Sequence, residues 1–155
     1  MWRNVKSRLA GSLAVVLLAA GCGSDGPQGA LDAFVDAIND RDDQAALDVT
    51  CEASHKNIAA TLSDPFKGNP IDVYEVEPRL RDLRYLAEGG DILEESDSAA
   101  TGRVEITVEG VPEDMPPEAQ QVMDGVQIAF PLTLINQEDD TVKLIKEGDA
   151  WVVCD

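Results

Sequence analysis

Basic residues are scarce in this chain. Twelve Lys and Arg stand against thirty Asp and Glu, a net charge of −18 over 155 residues. A protein that grips phosphate needs a basic footprint, so nucleic acid is excluded as a partner. Anionic lipid headgroups attract basic segments for the same reason, and an acidic domain is expected to stand off such a surface. Histidine is scarcer still. His55 is alone, which leaves no histidine-rich metal signature and no ready base for a cysteine nucleophile. A cysteine-built metal site needs more soft ligands than Cys22, Cys51 and Cys154 supply. The apolar run Leu9 to Ala20 is twelve residues long, short of the ~20 that a membrane-spanning helix requires. There is no nucleophile elbow, no phosphate-binding glycine loop and no internal repeat.

What is present begins at the N-terminus. Arg3, Lys6 and Arg8 are the only charges before residue 25, and all are positive. A basic stretch followed by a short apolar run is the layout of a secretory signal. The run ends in Leu18-Ala19-Ala20-Gly21-Cys22, which resembles the lipobox of bacterial lipoproteins. That resemblance implies cleavage between Gly21 and Cys22, a diacylglycerol thioether on Cys22, and a chain anchored by lipid at the extracytoplasmic face of the cell membrane. Two or more acyl chains hold a protein stably, where one holds it only reversibly. Residues 1–21 are then the signal and 22–29 a tether, with Gly23, Ser24, Gly26, Pro27 and Gly29 favouring an irregular backbone. The remaining 30–155 makes one domain of ordinary size. Removing 1–21 leaves nine basic and thirty acidic residues, a net charge of −21. The carboxylates are spread along the whole chain, which reads as solubility rather than a cationic partner.

With Cys22 taken by lipid, Cys51 and Cys154 form an even remainder in an exported domain, and a structural disulfide is expected. A catalytic thiol or a metal pair are the alternatives. Closing a loop of about a hundred residues is worth up to roughly 4–5 kcal/mol in the chain-entropy model.

The first half of the domain reads as helical. Leu31, Phe34, Val35 and Ile38 recur at helical spacing. A second short helix is expected with Asp42 or Asp43 as its cap, and a third over His55 to Leu62 capped by Ser54. Two prolines and a glycine make Ser63 to Pro70 a loop. The second half reads as strands. Val104, Ile106 and Val108 alternate with charged or polar residues over Gly102 to Glu109. Further strands are expected over Leu80 to Leu86, with a turn at Glu88 to Asp91, and over Gln127 to Ile135, where Pro131 implies an edge or bulge. Val142 to Lys146 and Ala150 to Cys154 flank a hairpin turn. Val111 to Asp124 reads as a loop with one helical turn.

Helices followed by antiparallel strands indicate an α+β domain. Two stretches narrow it. "ALDAFVDAINDRDDQAALDVTCE" (30–52) and "VKLIKEGDAWVVCD" (142–155) resemble the opening helices and closing hairpin of the NTF2-like cone fold. The match is similar to that of actinobacterial lipoproteins with a lumazine-binding-like or DUF4878-like domain. The resemblance implies N-terminal helices packed on a curved antiparallel sheet, with an interior that either encloses a pocket or fills with side chains.

Enzymes of that superfamily place a carboxylate or imidazole inside the cone. The inward strand positions Val104, Ile106, Val108, Ile128, Phe130, Leu132 and Leu134 are apolar instead, while Tyr74, Asp82 and Tyr85 have no assigned direction. His55 reads as a surface residue. Asp40 to Asp43 and Glu138 to Asp140 do not match the twelve-residue calcium loop and read as turns. Phe34, Ile38, Tyr85, Phe130 and Trp151 are the candidate lining of an apolar pocket, with a filled core as the alternative. The expected function is a non-enzymatic, lipid-anchored binding or interaction module of the cell envelope. Its partner is a small apolar ligand or an envelope protein, and no cofactor is implied. An isomerase or dehydratase of the cone fold, or a purely structural envelope protein, are the competing readings.

Overall fold

Leu31, Phe34, Val35 and Ile38 lie on one buried face of the first helix, and the rest of the domain is arranged around that face. The computed structural model describes residues 26–56, 58–125 and 129–155. The helix, α1 (Pro27–Asp40), starts on a proline, whose missing N–H costs nothing in the first turn. It ends at Arg41, whose backbone is left-handed (φ 55°). There the N–H groups of Arg41 and Asp42 cover the carbonyls of Ile38 and Ala37, as helix ends require. Asp42 then caps α2 (Asp43–Asp48) by accepting from Gln44 N and Ala45 N at 3.1 and 3.0 Å.

The sheet is antiparallel: β1 (Arg84–Glu95), β2 (Ala99–Glu109), β3 (Ile135–Asn136), β4 (Thr141–Glu147) and β5 (Ala150–Cys154). The order runs β1-β2-β4. Beyond it, β3 pairs with Thr141–Val142 of β4, and β5 with Lys143–Glu147. The free edge of β5 is extended by the segment after α2. Cys51 N donates to the Val153 carbonyl and Val153 N to the Val49 carbonyl, each at 2.9 Å. Mixed helix and antiparallel sheet define an α+β domain.

One row of side chains explains the packing. Ala100, Gly102, Val104, Ile106 and Val108 share a face of β2, because strand side chains alternate. Ala87 and Tyr85 of β1 stand opposite Ile106 and Val108 on the same face. Ala100, Gly102 and Val104 are buried. At Gly102 a Cβ would lie 2.8 Å from Leu31 Cδ2, so glycine is what lets α1 approach the strand. Ile106 is half-buried and Val108 is 45% exposed. The cover supplied by α1 therefore fails partway along the row.

A smaller cluster closes the other end. Phe66, Val73, Leu80, Leu83, Ala119 and Val122 pack together. They come from a loop, from the single-turn helix α3 (Val73–Val76), from a 3₁₀ segment (Pro78–Asp82) with Leu83 just after it, and from α4 (Pro117–Asp124).

Four expectations from the sequence need correcting. The helix expected over His55 to Leu62 is a 3₁₀ turn over Glu52–His55, and Ile58 to Leu62 are not helical. The strand expected over Leu80 to Leu86 is 3₁₀ up to Asp82 and becomes strand only at Arg84. Glu88 to Asp91 is not a turn. It lies within β1, where the register shifts between Gly89 and Ile92; glycines inside a strand pattern also mark bulges. Gln127 to Ile135 is not one strand. Phe130 makes an isolated bridge to Thr61, Leu132–Leu134 is 3₁₀, and β3 begins at Ile135. Ile128 lies outside the described residues.

Candidate functional site: an apolar cleft beside the sheet

Where α1 stops covering β2, a cleft of about 430 Å³ opens. Its floor is Ile106 and Val108 of β2 with Tyr85 of β1. Phe66, Leu83 and Met123 line it from the second cluster, and Leu132, Ile135, Gln137 and Asp140 from the segment leading into β4. The cleft exists because the two strands part. β4 pairs with β2 only from Arg103 back to Ala99, while β2 runs on to Glu109. Val104 N still reaches the Asp140 carbonyl at 2.8 Å, and beyond that point the chain leading into β4 has left β2.

The chemistry of the lining is simple. Eight of the ten described lining residues are apolar or aromatic, and the polar groups belong to Gln137, Asp140 and the Tyr85 hydroxyl. The Tyr85 hydroxyl makes no hydrogen bond with any described residue. Burial raises its pKa above the ordinary tyrosine value, so at neutral pH it is a neutral donor. A volume of a few hundred Å³, mostly apolar with a few polar groups, is the usual form of a small-molecule site.

Of the pocket residues expected from sequence, Tyr85 lines this cleft. Phe34 and Ile38 are fully buried under α1, Phe130 is buried in the same core, and Trp151 packs against it half-buried. These four are core residues and do not line the cleft. Ile106, Val108 and Leu132 were legible as inward positions, but nothing in the alternation said where α1 would end. Phe66 and Met123 reach the cleft from segments without clear periodicity, and Ile135 stands out of step with the alternating Phe130, Leu132 and Leu134.

The remaining candidates fall as follows. Gly21 and Cys22 lie outside the described residues. Cys51 and Cys154 are joined in a disulfide, with Cα atoms 5.3 Å apart. They sit side by side because Thr50 and Val153 are bridged in parallel. Glu147 lies near both sulfurs, but a disulfide offers no thiolate to a metal. His55 is half-buried rather than on the surface: Nε2 is 2.9 Å from Thr50 Oγ1, and the ring stands edge-on to Phe130 at 6.0 Å. Asp82 is exposed and does not line the cleft. In the acidic turns two carboxylates are engaged within the chain. Asp43 accepts from Leu62 N and from the Ser63 hydroxyl, and Asp139 from Thr141 Oγ1.

Among the described residues no helix is long and apolar enough to cross a membrane. Comparison with family models, with curated proteins and with solved structures returns no match for this chain.

Proposed function

We propose that this protein is a binding module of the bacterial cell envelope, held to the outer face of the cytoplasmic membrane by lipid on Cys22 and taking a small apolar ligand in the cleft. The observation that carries the reading is the unfilled end of the inward row on β1 and β2. Tyr85, Ile106 and Val108 have the pattern of core positions, yet they face open space. Burying such surface is worth about 25 cal/mol per Å², and the association cost must be met from that gain. The NTF2-like cone is the finer fold reading. It is supported by helices preceding an antiparallel sheet and by a cleft on the sheet face that α1 covers.

The enzymatic alternative has partial support, since Tyr85 does line the cleft. It lacks the second group. Among the described residues the only carboxylate in the lining is Asp140, which is exposed, whereas acid–base chemistry calls for a carboxylate or imidazole placed against the reacting group.

The test is a titration with N-phenyl-1-naphthylamine, an apolar dye that brightens when buried. One-to-one saturable binding is expected. Val108→Trp places a large ring at an exposed cleft position and should abolish it without unfolding the protein. Saturable binding of equal strength in the Val108→Trp protein would refute the cleft as the site.

A further inference from the structure

We infer that the natural occupant of the cleft carries a protonated amine on its apolar body, with the amine held at the mouth by Asp140. This rests on the reading of the cleft as a binding site and deepens it to a ligand class. Among the described residues, Asp140 is the only charged one in the lining. Its backbone is fixed: φ is 54°, and its carbonyl accepts from Val104 N at 2.8 Å. Its carboxylate, by contrast, makes no hydrogen bond or ion pair with any described residue. Asp139 differs, because its carboxylate accepts from Thr141 Oγ1, and neither Asp139 nor Glu138 lines the cleft. An unengaged carboxylate on a residue that lines an apolar cleft is available to pair with a cation bound there.

Among the described residues the lining holds no cationic side chain to pair with an anion; its donors, the Tyr85 hydroxyl and the Gln137 amide, are neutral. Arg103 projects from the face of β2 opposite Val104 and Ile106, and Arg79 and Arg84 are paired elsewhere. Arg79 bonds Glu77 and Asp114, and Arg84 bonds Glu109 at 2.7 Å. Arg84 and Glu109 also project from the opposite face of the sheet to Tyr85 and Val108, one residue on in each strand. The field of the whole chain, at a net charge of −18, concentrates cations and repels anions around any opening. Apolar contact supplies most of the affinity, and the rim carboxylate sorts ligands by charge. An exposed ion pair of this kind is worth a factor of about two to five.

The experiment uses three compounds with one body: 3-phenylpropylamine, 3-phenylpropanol and 3-phenylpropanoate. Each is titrated into the full chain, and binding is read from the methyl resonances of Ile106 and Val108. The amine should bind about threefold more tightly than the alcohol and about tenfold more tightly than the carboxylate. Asp140→Asn keeps the shape and tolerates the left-handed backbone, and it should bring amine and alcohol together. Asp149→Asn removes the same charge at the far end of β4 and should leave their ratio unchanged. Equal affinities for all three compounds, or an amine preference that survives Asp140→Asn, would overturn the amine assignment and leave the cleft a binding site. No methyl shift with any compound would overturn both.

Discussion

Asn39 of α1 and Ala87 of β1 exchange two hydrogen bonds, Asn39 Nδ2 to the Ala87 carbonyl at 3.0 Å and Ala87 N to Asn39 Oδ1 at 2.7 Å. A side-chain amide thus does for β1 what a neighbouring strand would do. The edge of a sheet is a template for unwanted pairing, and here a helix residue occupies it at a buried position, Ala87. Asn39→Ala leaves a buried donor and acceptor unpaired and should cost about 1–3 kcal/mol in chemical denaturation. Asn39→Asp keeps the acceptor and loses the donor. It should therefore fall between the two, and equal stability of all three proteins would show that the pairing contributes nothing.

The anchoring of the chain is open to a direct test at Cys22. Growth with an alkyne-tagged palmitate should label the wild-type protein, and Cys22→Ala should lose the label. Cys51→Ala should keep it, because Cys51 is committed to the disulfide. Labelling that persists in Cys22→Ala would remove the lipoprotein reading, and the apolar run Leu9 to Ala20 would then need another account.

Much of the α1 face and the closing hairpin was legible because each carries its own short-range signal. Leu31, Phe34, Val35 and Ile38 repeat at helical spacing, and Glu147-Gly148-Asp149 sits between two alternating runs. Gly148 indeed takes a positive φ of 63°. Phe130 to Ile135 misled for a physical reason. Its alternation of apolar residues is real, and those residues are buried, but Pro131 cannot donate to a ladder and the chain turns at Leu132–Leu134 instead. Burial was legible there and strand was not. The cleft itself was half legible. The sequence marks Tyr85, Ile106 and Val108 as apolar, but only the length of α1 and the departure of the chain ahead of β4 leave them uncovered. That is tertiary information.

Gly110 ends β2 with φ of +79°, and a Cβ there would meet the backbone of Asp82, lying 2.7 Å from its carbonyl carbon and 2.9 Å from Leu83 N. The obstacle is main chain and cannot swing aside. Gly110→Ala should therefore destabilise by more than the about 1 kcal/mol that left-handed strain alone costs, read as a lower urea midpoint. Gly148→Ala is the control, since it has positive φ and open space around the Cβ. If the two variants lose stability equally, close approach to Asp82 plays no part.

The disulfide joins residues 103 apart. Cross-linking over such a distance restricts the unfolded chain, and the loss of both cysteines as Cys51→Ala with Cys154→Ala should cost about 2–5 kcal/mol. The fold should survive under mild conditions, since Val49 to Cys51 stays bonded to β5 through the backbone. Circular dichroism with a denaturant series checks both statements. An unchanged midpoint would mean that the bridge adds nothing to those backbone bonds.

Glu77 offers the clearest pH signature. It is a buried carboxylate, bonded by Arg79 Nε at 2.8 Å and Nη2 at 2.7 Å, with Arg79 N donating to it as well. Arg79 also reaches Asp114 Oδ1 at 2.9 Å, tying the 3₁₀ segment to the loop before α4. The hydrogen bonds from Arg79 hold the Glu77 carboxyl below its ordinary value, and Arg79 does the same to Asp114. A carboxylate whose pKa is depressed by folding binds its proton more weakly in the native state. Its contribution is therefore fully present above the ordinary carboxylate pKa of about 4 and is lost as pH falls through the lower, folded value. Melting temperatures of wild type and Glu77→Gln should differ most near pH 7 and converge below about pH 4. The relief of acidic self-repulsion on acidification acts on both proteins and largely cancels in the difference. A gap of the same size at pH 7 and pH 3 would show that Glu77 acts through its shape and not its charge.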